Sequence, residues 1–268
     1  MTIESEQIKK AKKMFFVSPE RNKIFTDLDL VLSTLEPPFQ ALGFSFKRNL
    51  LGAIDVAALP FLVASNAVRL SLAYSDGATK PSVAWRIYQQ LSSCLEHEQI
   101  IIGLQENLNQ ALLNLWSCFE VFTRDFLTTL LNHNPEYLNR LANAGKEYFD
   151  KQIPIQILKH YGFNVSDNLG DIFIQHHDIH AMPYLKSVFK ILFPENHELH
   201  EAFSDKVLWQ LHDRRNLIVH HLGIAAKRYF ERSVENLPPG EQVKVTSDDI
   251  YSYLDAVTNT VARMLSSL

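Results

Sequence analysis

The sequence predicts an all-α fold, and three stretches carry that prediction. Ile101, Leu104, Leu108, Leu112, Leu115, Phe119, Phe122, Phe126 and Leu130 step by threes and fours, which describes one long amphipathic helix ending near Asn134-Pro135. Ile250, Leu254, Val257, Val261 and Met264 repeat the pattern in the last segment. Leu208, Leu211, Ile218 and Leu222 repeat it again within Ser204 to Gly223, with Arg215 falling in the middle of the stripe where another leucine would be expected.

The remaining elements follow in chain order. Lys9, Lys10, Lys12 and Lys13 beside Met14, Phe15 and Phe16 read as a solvated first helix. Ser18-Pro19-Glu20 opens the next, with serine as N-cap and proline in the first turn, and Glu36-Pro37-Pro38 closes it. Arg48 to Ala73 is expected to be helical with a break near Pro60, ending in the turn Ser75-Asp76-Gly77. A helix over Ser82 to His97 precedes the long one. Further helices are expected at Glu136 to Tyr148, at Pro154 to His160 before Gly162, and at Met182 to Leu192. After the turn-rich Ser233 to Gly240, Ser247-Asp248-Asp249 caps the last helix with negative charge in its first turn.

Composition narrows the class. With 268 residues, 46% hydrophobic and 21% charged, the chain can bury a sizeable core. A net charge of -4 argues against a surface coated in positive potential, so any contact with RNA must be local. Cys94 and Cys118 form no spaced cluster, which fits a reducing cytoplasm better than a disulfide framework. The N-terminus lacks the pattern of a secretory signal. Leu50 to Tyr74, the most apolar stretch, is interrupted by Asp55, Pro60, Asn66 and Arg69, whereas a membrane span needs about 20 predominantly apolar residues. It is read as buried helix, with no membrane partner. His176 and His180 stand four apart, a spacing that can bind zinc on a helix, but no third ligand is identifiable and a polar loop is the preferred reading. No metal or cofactor is expected.

Candidate chemistry concentrates at Arg215-Asn216-Leu217-Ile218-Val219-His220. Turning a helix by about 100° per residue puts Asn216 and His220 one turn apart on a flank that also carries His212. Arg215 can reach toward that flank, so a cation, an amide and an imidazole could converge on one anionic group. An arginine capping a core beside histidines on a wet face is the alternative. Arg214 and His221 duplicate the pair and, seven apart, also share a face. Glu120 lies one turn from Arg124, and is either half of a surface ion pair or a support for Arg215. Gly223 supplies a helix stop.

The segment RRNLIVHHLG resembles the Arg-x4–6-His signature of the HEPN superfamily, in its HEPN-like (RiboL-PSP-HEPN) nuclease branch. Asn216, Gly223 and Tyr229 stand where that branch commonly has its polar residue, glycine and aromatic. The turn Pro238-Pro239-Gly240, the short extended run Val243-Lys244-Val245 and the helix from Ser247 follow in the same order. Leu222 occupies the position that carries a modifiable tyrosine in one toxin branch. The resemblance covers roughly Glu98 to Leu268, which implies a HEPN-like bundle over 98–268 with a short β-hairpin-like excursion before the last helix, and a helical N-terminal region over 1–97. It implies a metal-independent endoribonuclease in a toxin-antitoxin or phage-defence role, with Arg215, Asn216 and His220 catalytic and Glu120, Arg214, His221 and His212 in support. The implied partners are an RNA substrate, a second copy with the motif helices at the two-fold axis, and an antitoxin or effector protein. A non-catalytic dimerisation or nucleotide-binding module is the competing reading, and a nucleic-acid regulator using the N-terminal lysines is a third.

Overall fold

Eleven α-helices and one 3-10 turn make up the described residues of the computed structural model. These are 23–73, 98–145, 154–177, 181–232 and 237–268; within them, the side chains of 61–73, 100, 101, 176, 228, 230 and 232 are not described. The helices are α1 (Thr26–Leu32), α2 (Pro37–Ala73), α3 (Glu98–His133), α4 (Glu136–Ala144), α5 (Ile155–His160), α6 (Leu169–His176), α7 (Met182–Leu192), α8 (His197–Ala202), α9 (Lys206–His221), α10 (Lys227–Arg232) and α11 (Ser247–Leu265); the 3-10 turn, Ser166–Asn168, precedes α6. The expectations for Lys9 to Phe16, Ser18-Pro19-Glu20, Ser75-Asp76-Gly77, Ser82 to His97, Cys94 and His180 lie outside the described residues, as does the side chain of His176.

The long periodic stretch forms α3, and the rest of the fold is built around it. Its apolar face buries Leu112, Leu115, Trp116, Phe119, Phe122, Phe126 and Leu130, and α2, α4, α6, α9 and α11 all pack against it. Helix α2 runs antiparallel along α3: Phe39 meets Phe126 at 5.9 Å, Phe46 meets Phe122 at 5.1 Å, and Asn107 donates to the Ala57 carbonyl at 2.6 Å. Phe25, Leu28, Leu32 and Leu50 belong to the same continuous core as Phe189, Leu211 and Val257.

Several features of the helices differ from the expected ones. Pro37-Pro38 opens α2 instead of merely closing the element before it, because a proline in the first turn loses no helical hydrogen bond. The helix then continues through Pro60 without the expected break. At the far end of the chain the N-cap is Thr246, one residue before the expected group. Its hydroxyl accepts from Asp249 N at 3.1 Å while Asp249 Oδ2 accepts from Thr246 N at 2.7 Å, a reciprocal capping box. Ile250, Leu254, Val257, Val261 and Met264 are all buried, as their spacing predicts.

Helix α6 sits on α3 through Gly170. Asn132, on α3, accepts from Gly170 N at 2.7 Å with its side-chain oxygen and donates to Asp171 at 2.8 Å with its nitrogen, so α3 caps the start of α6. After α9 the chain makes one isolated antiparallel bridge, Ile224 with Gln242, flanked by Val243 N donating to Gly223 O and Ala225 N to Glu241 O, each at 2.8 Å. Cys118 is free and half-buried, and burial pushes its thiol pKa up. No helix among the described residues is long and apolar enough to cross a membrane.

Candidate functional site

Helix α9 starts at Asp205, whose carboxylate accepts from Val207 N at 2.8 Å. From there the buried positions are Leu208, Leu211, Arg214 and Leu217. The cation inside the apolar stripe is therefore Arg214, where spacing had pointed to Arg215. A buried guanidinium requires a partner, and α11 supplies it. Arg214 Nη1 lies 2.9 Å from Asp249 Oδ2, and the guanidinium stands 5.9 Å over the ring of Tyr253. Its side chain is only 10% exposed. His221, seven residues on from Arg214, is exposed at the C-terminal end of α9.

One residue on, Arg215 takes the polar flank. Its Nη1 donates to Asn216 Oδ1 at 2.9 Å; Asn216 Nδ2 donates to His212 Nε2 at 3.0 Å; and His212 Nδ1 lies 3.3 Å from Asp213 Oδ1. These partners fix the hydrogen assignment. An amide N–H facing Nε2 makes that nitrogen the acceptor, so the neutral ring carries its proton on Nδ1, directed at the Asp213 carboxylate. Turning the amide over would set two donors, Asn216 Nδ2 and Arg215 Nη1, against each other. Arg215 thereby orients Asn216, and Asn216 selects the tautomer of His212. The imidazole lies beside two indoles, Trp116 of α3 at 5.1 Å and Trp209 at 6.2 Å between ring centres.

Of the expected site residues, the structure joins Arg215, Asn216 and His212 into one chain of polar contacts. His220 follows Asn216 by one turn and is exposed at the C-terminal end of the helix. Glu120 is half-buried on α3, one turn beyond the Trp116 whose ring meets His212. Reading the sequence missed Asp213, although its place beside His212 was a usable signal, and missed Asp249 and Tyr253 as the partners of Arg214. His200, in the His197-Glu198-Leu199-His200 segment, is engaged elsewhere, with its Nε2 2.9 Å from the Phe193 carbonyl oxygen.

The helix stops one residue before the expected glycine. Leu222 already adopts the left-handed conformation at φ 52°, Gly223 follows at φ 77°, and Gly223 N donates to Leu217 O at 3.1 Å. A left-handed leucine is disfavoured by about 1–2 kcal/mol, and this one is 81% exposed, so packing returns little. Leu222→Gly is expected to raise stability by about 1 kcal/mol, read as an increase in the urea midpoint at unchanged slope. An unchanged or lowered midpoint would mean that the leucine has a contact of its own. Val219 and Ile224, about half exposed, flank it. Comparison of the chain with protein-family models, with curated proteins and with solved structures found no match.

Proposed function

We propose that the protein is a metal-independent endoribonuclease of HEPN type, acting at Arg215, Asn216 and His220. The observation that supports this reading is the polar chain on α9, in which one amide, Asn216, is bonded on one side to Arg215 and on the other to a carboxylate-backed imidazole, one turn before an exposed second imidazole. In the proposed reaction the RNA's own 2′-hydroxyl attacks the adjacent phosphorus. The 2′-O–P bond forms, the P–O5′ bond breaks, and the proton lost from the 2′-oxygen is balanced by one gained on the 5′-oxygen. His220 handles that transfer as general base or acid, the role an imidazole most often takes. Arg215 stabilises charge on the phosphoryl oxygens with its planar fork. Asn216, itself held by Arg215 and by the His212–Asp213 pair, orients the histidine or the scissile group, and Glu120 supports the arginine from α3. The products are a 2′,3′-cyclic phosphate and a 5′-hydroxyl.

A second copy of the chain, its motif helix paired with this one across a two-fold axis, would bring two such sets into one cleft. Toxin or phage-defence roles, with an antitoxin or effector as partner, belong to the same reading. A non-catalytic interaction module is the second reading, and the exposed Val219, Leu222 and Ile224 beside His220 favour it.

Incubating the purified chain with mixed RNA in EDTA separates the two. The nuclease reading expects cyclic phosphate ends, and a fall of about 100-fold or more in cleavage for Arg215→Ala and for His220→Ala, at nearly unchanged melting temperature. Intact RNA with a folded wild-type dimer would favour the interaction module.

A further inference from the structure

The polar flank of α9 holds its groups in an order that a single proton reverses. His212 Nδ1 faces Asp213 Oδ1 at 3.3 Å, His212 Nε2 accepts from Asn216 Nδ2 at 3.0 Å, and Asn216 Oδ1 accepts from Arg215 Nη1 at 2.9 Å. A carboxamide has one oxygen edge and one NH2 edge. While Nε2 is an acceptor it takes the NH2 edge of Asn216, which leaves the oxygen for Arg215. The neutral imidazole therefore decides, through one amide, what the guanidinium meets.

Protonation of His212 inverts that arrangement. Asp213 accepts from Nδ1–H in both forms, so the proton gained is on Nε2, and an N–H then faces an NH2 group. Two cations, the imidazolium and Arg215, now compete for one amide oxygen, and their surroundings settle the contest. The His212 side chain is only 16% exposed. It lies beside Trp116, which is fully buried, and Trp209, whose Nε1 donates to the Phe203 carbonyl oxygen at 2.9 Å. An indole offers no hydrogen-bond acceptor. An imidazolium N–H that lost Asn216 would thus be left partly buried and unsatisfied, which is unfavourable. Arg215 is half-buried on a long stem, and its guanidinium can turn to water instead. The amide accordingly turns over about its last torsion, which is a broad one. It then presents its NH2 edge to Arg215, and the arginine must leave.

We propose that His212 is a positioning residue for Arg215. Unprotonated, it keeps the Asn216 oxygen toward the guanidinium; protonated, it takes that oxygen for itself and lets the arginine go. The titratable and charged groups around the ring are Asp213 and Arg215 on α9 and, on α3 beyond Trp116, Cys118 and Glu120, both half-buried. Helix α11 meets the other side of α9, where Asp249 and Tyr253 face Arg214. As a control on RNA cleavage the proposal rests on the nuclease reading, whereas the coupling of the three side chains stands without it.

The test has two arms, both on the full chain. In the first, without RNA, the side-chain nitrogens of histidine, asparagine and arginine are followed by NMR through a pH titration. At alkaline pH His212 is expected as the Nδ1–H tautomer. On acidification the Asn216 amide and the Arg215 Nε–H signals are expected to shift with the same midpoint as the His212 ring. In Asn216→Ala the ring should still titrate while Arg215 ceases to follow it.

The second arm measures RNA cleavage against pH. Glutamine keeps an acceptor for Asn216 and takes up no proton, whereas leucine has no acceptor. His212→Gln should therefore cleave about tenfold faster than His212→Leu at neutral pH, and its rate should fall in acid with one proton fewer than wild type. The proposal is overturned if Arg215 ignores the His212 titration in wild type, if the alkaline tautomer is Nε2–H, or if His212→Gln is as acid-sensitive as wild type. A shared midpoint without any RNA cleavage would remove the nuclease reading and uphold the coupling; cleavage with independent midpoints would do the reverse.

Discussion

Arg214→Ala is expected to cost about 2–4 kcal/mol of stability, whereas Arg215→Ala should cost less than about 1 kcal/mol. Removing one member of a buried ion pair leaves the other charge uncompensated, which typically costs about 3–5 kcal/mol. Here Asp249 retains 23% exposure, and water can recover part of that. In a chain of 268 residues each kcal/mol moves the melting temperature by about 2–4 °C, so the two neighbouring variants should melt well apart. Thermal melts of both, beside RNA cleavage, separate the roles: position 214 should govern folding and position 215 activity. The reverse pattern, a folded Arg214→Ala and a collapsed Arg215→Ala, would show that α9 is rotated by one position from the arrangement described above.

Gly170→Ala is the second large effect, at about 3 kcal/mol or more. An added Cβ would overlap the Thr128 carbonyl oxygen and stand 2.8 Å from both the Cα and the carbonyl carbon of Thr128. Those are backbone atoms inside α3, so no rotamer change relieves the clash, and α6 must lift off. The lift would also strain the bond from Gly170 N to Asn132. Gly43→Ala makes a useful contrast, because its Cβ would meet chiefly the end of the Leu32 side chain, which can rotate aside, and its cost should stay nearer 1 kcal/mol. Urea unfolding of the two variants checks the order. A Gly170→Ala protein as stable as wild type would mean that α6 does not approach α3 this closely.

The helices that were legible in the sequence are those whose apolar face continues over many turns. Helices α3 and α11 declared themselves because every third or fourth position along them is buried. Helix α2 was misjudged at its start because a Pro-Pro pair reads equally as a stop and as a first turn. The register of α9 had a different difficulty. After Leu208 and Leu211 a period of 3.6 permits the next rung at 214 or at 215, and only a partner on another helix decides between them. That partner, Asp249, looked in the sequence like nothing more than part of a helix cap. On the polar flank, helical spacing put His212 and Asn216 on one face but singled out Asn216 and His220 as neighbours, whereas the contact of Asn216 is with His212. The bond from Arg215 to its own neighbour Asn216 follows from side-chain direction, which spacing does not encode.

The cap of α11 has a dynamic consequence. One atom, Asp249 Oδ2, accepts from the backbone and the hydroxyl of Thr246, both at 2.7 Å, and lies 2.9 Å from Arg214. Helix ends ordinarily fray at little cost in free energy, and their amides exchange with solvent early. Here, unwinding the first turn of α11 also takes the counter-ion from a guanidinium buried in α9. Amide hydrogens at the start of α11 should therefore exchange through the same opening as those in the middle of α9, as one cooperative unit. Whatever loosens that unit also releases the angular setting of α9, and with it the direction in which Arg215 points.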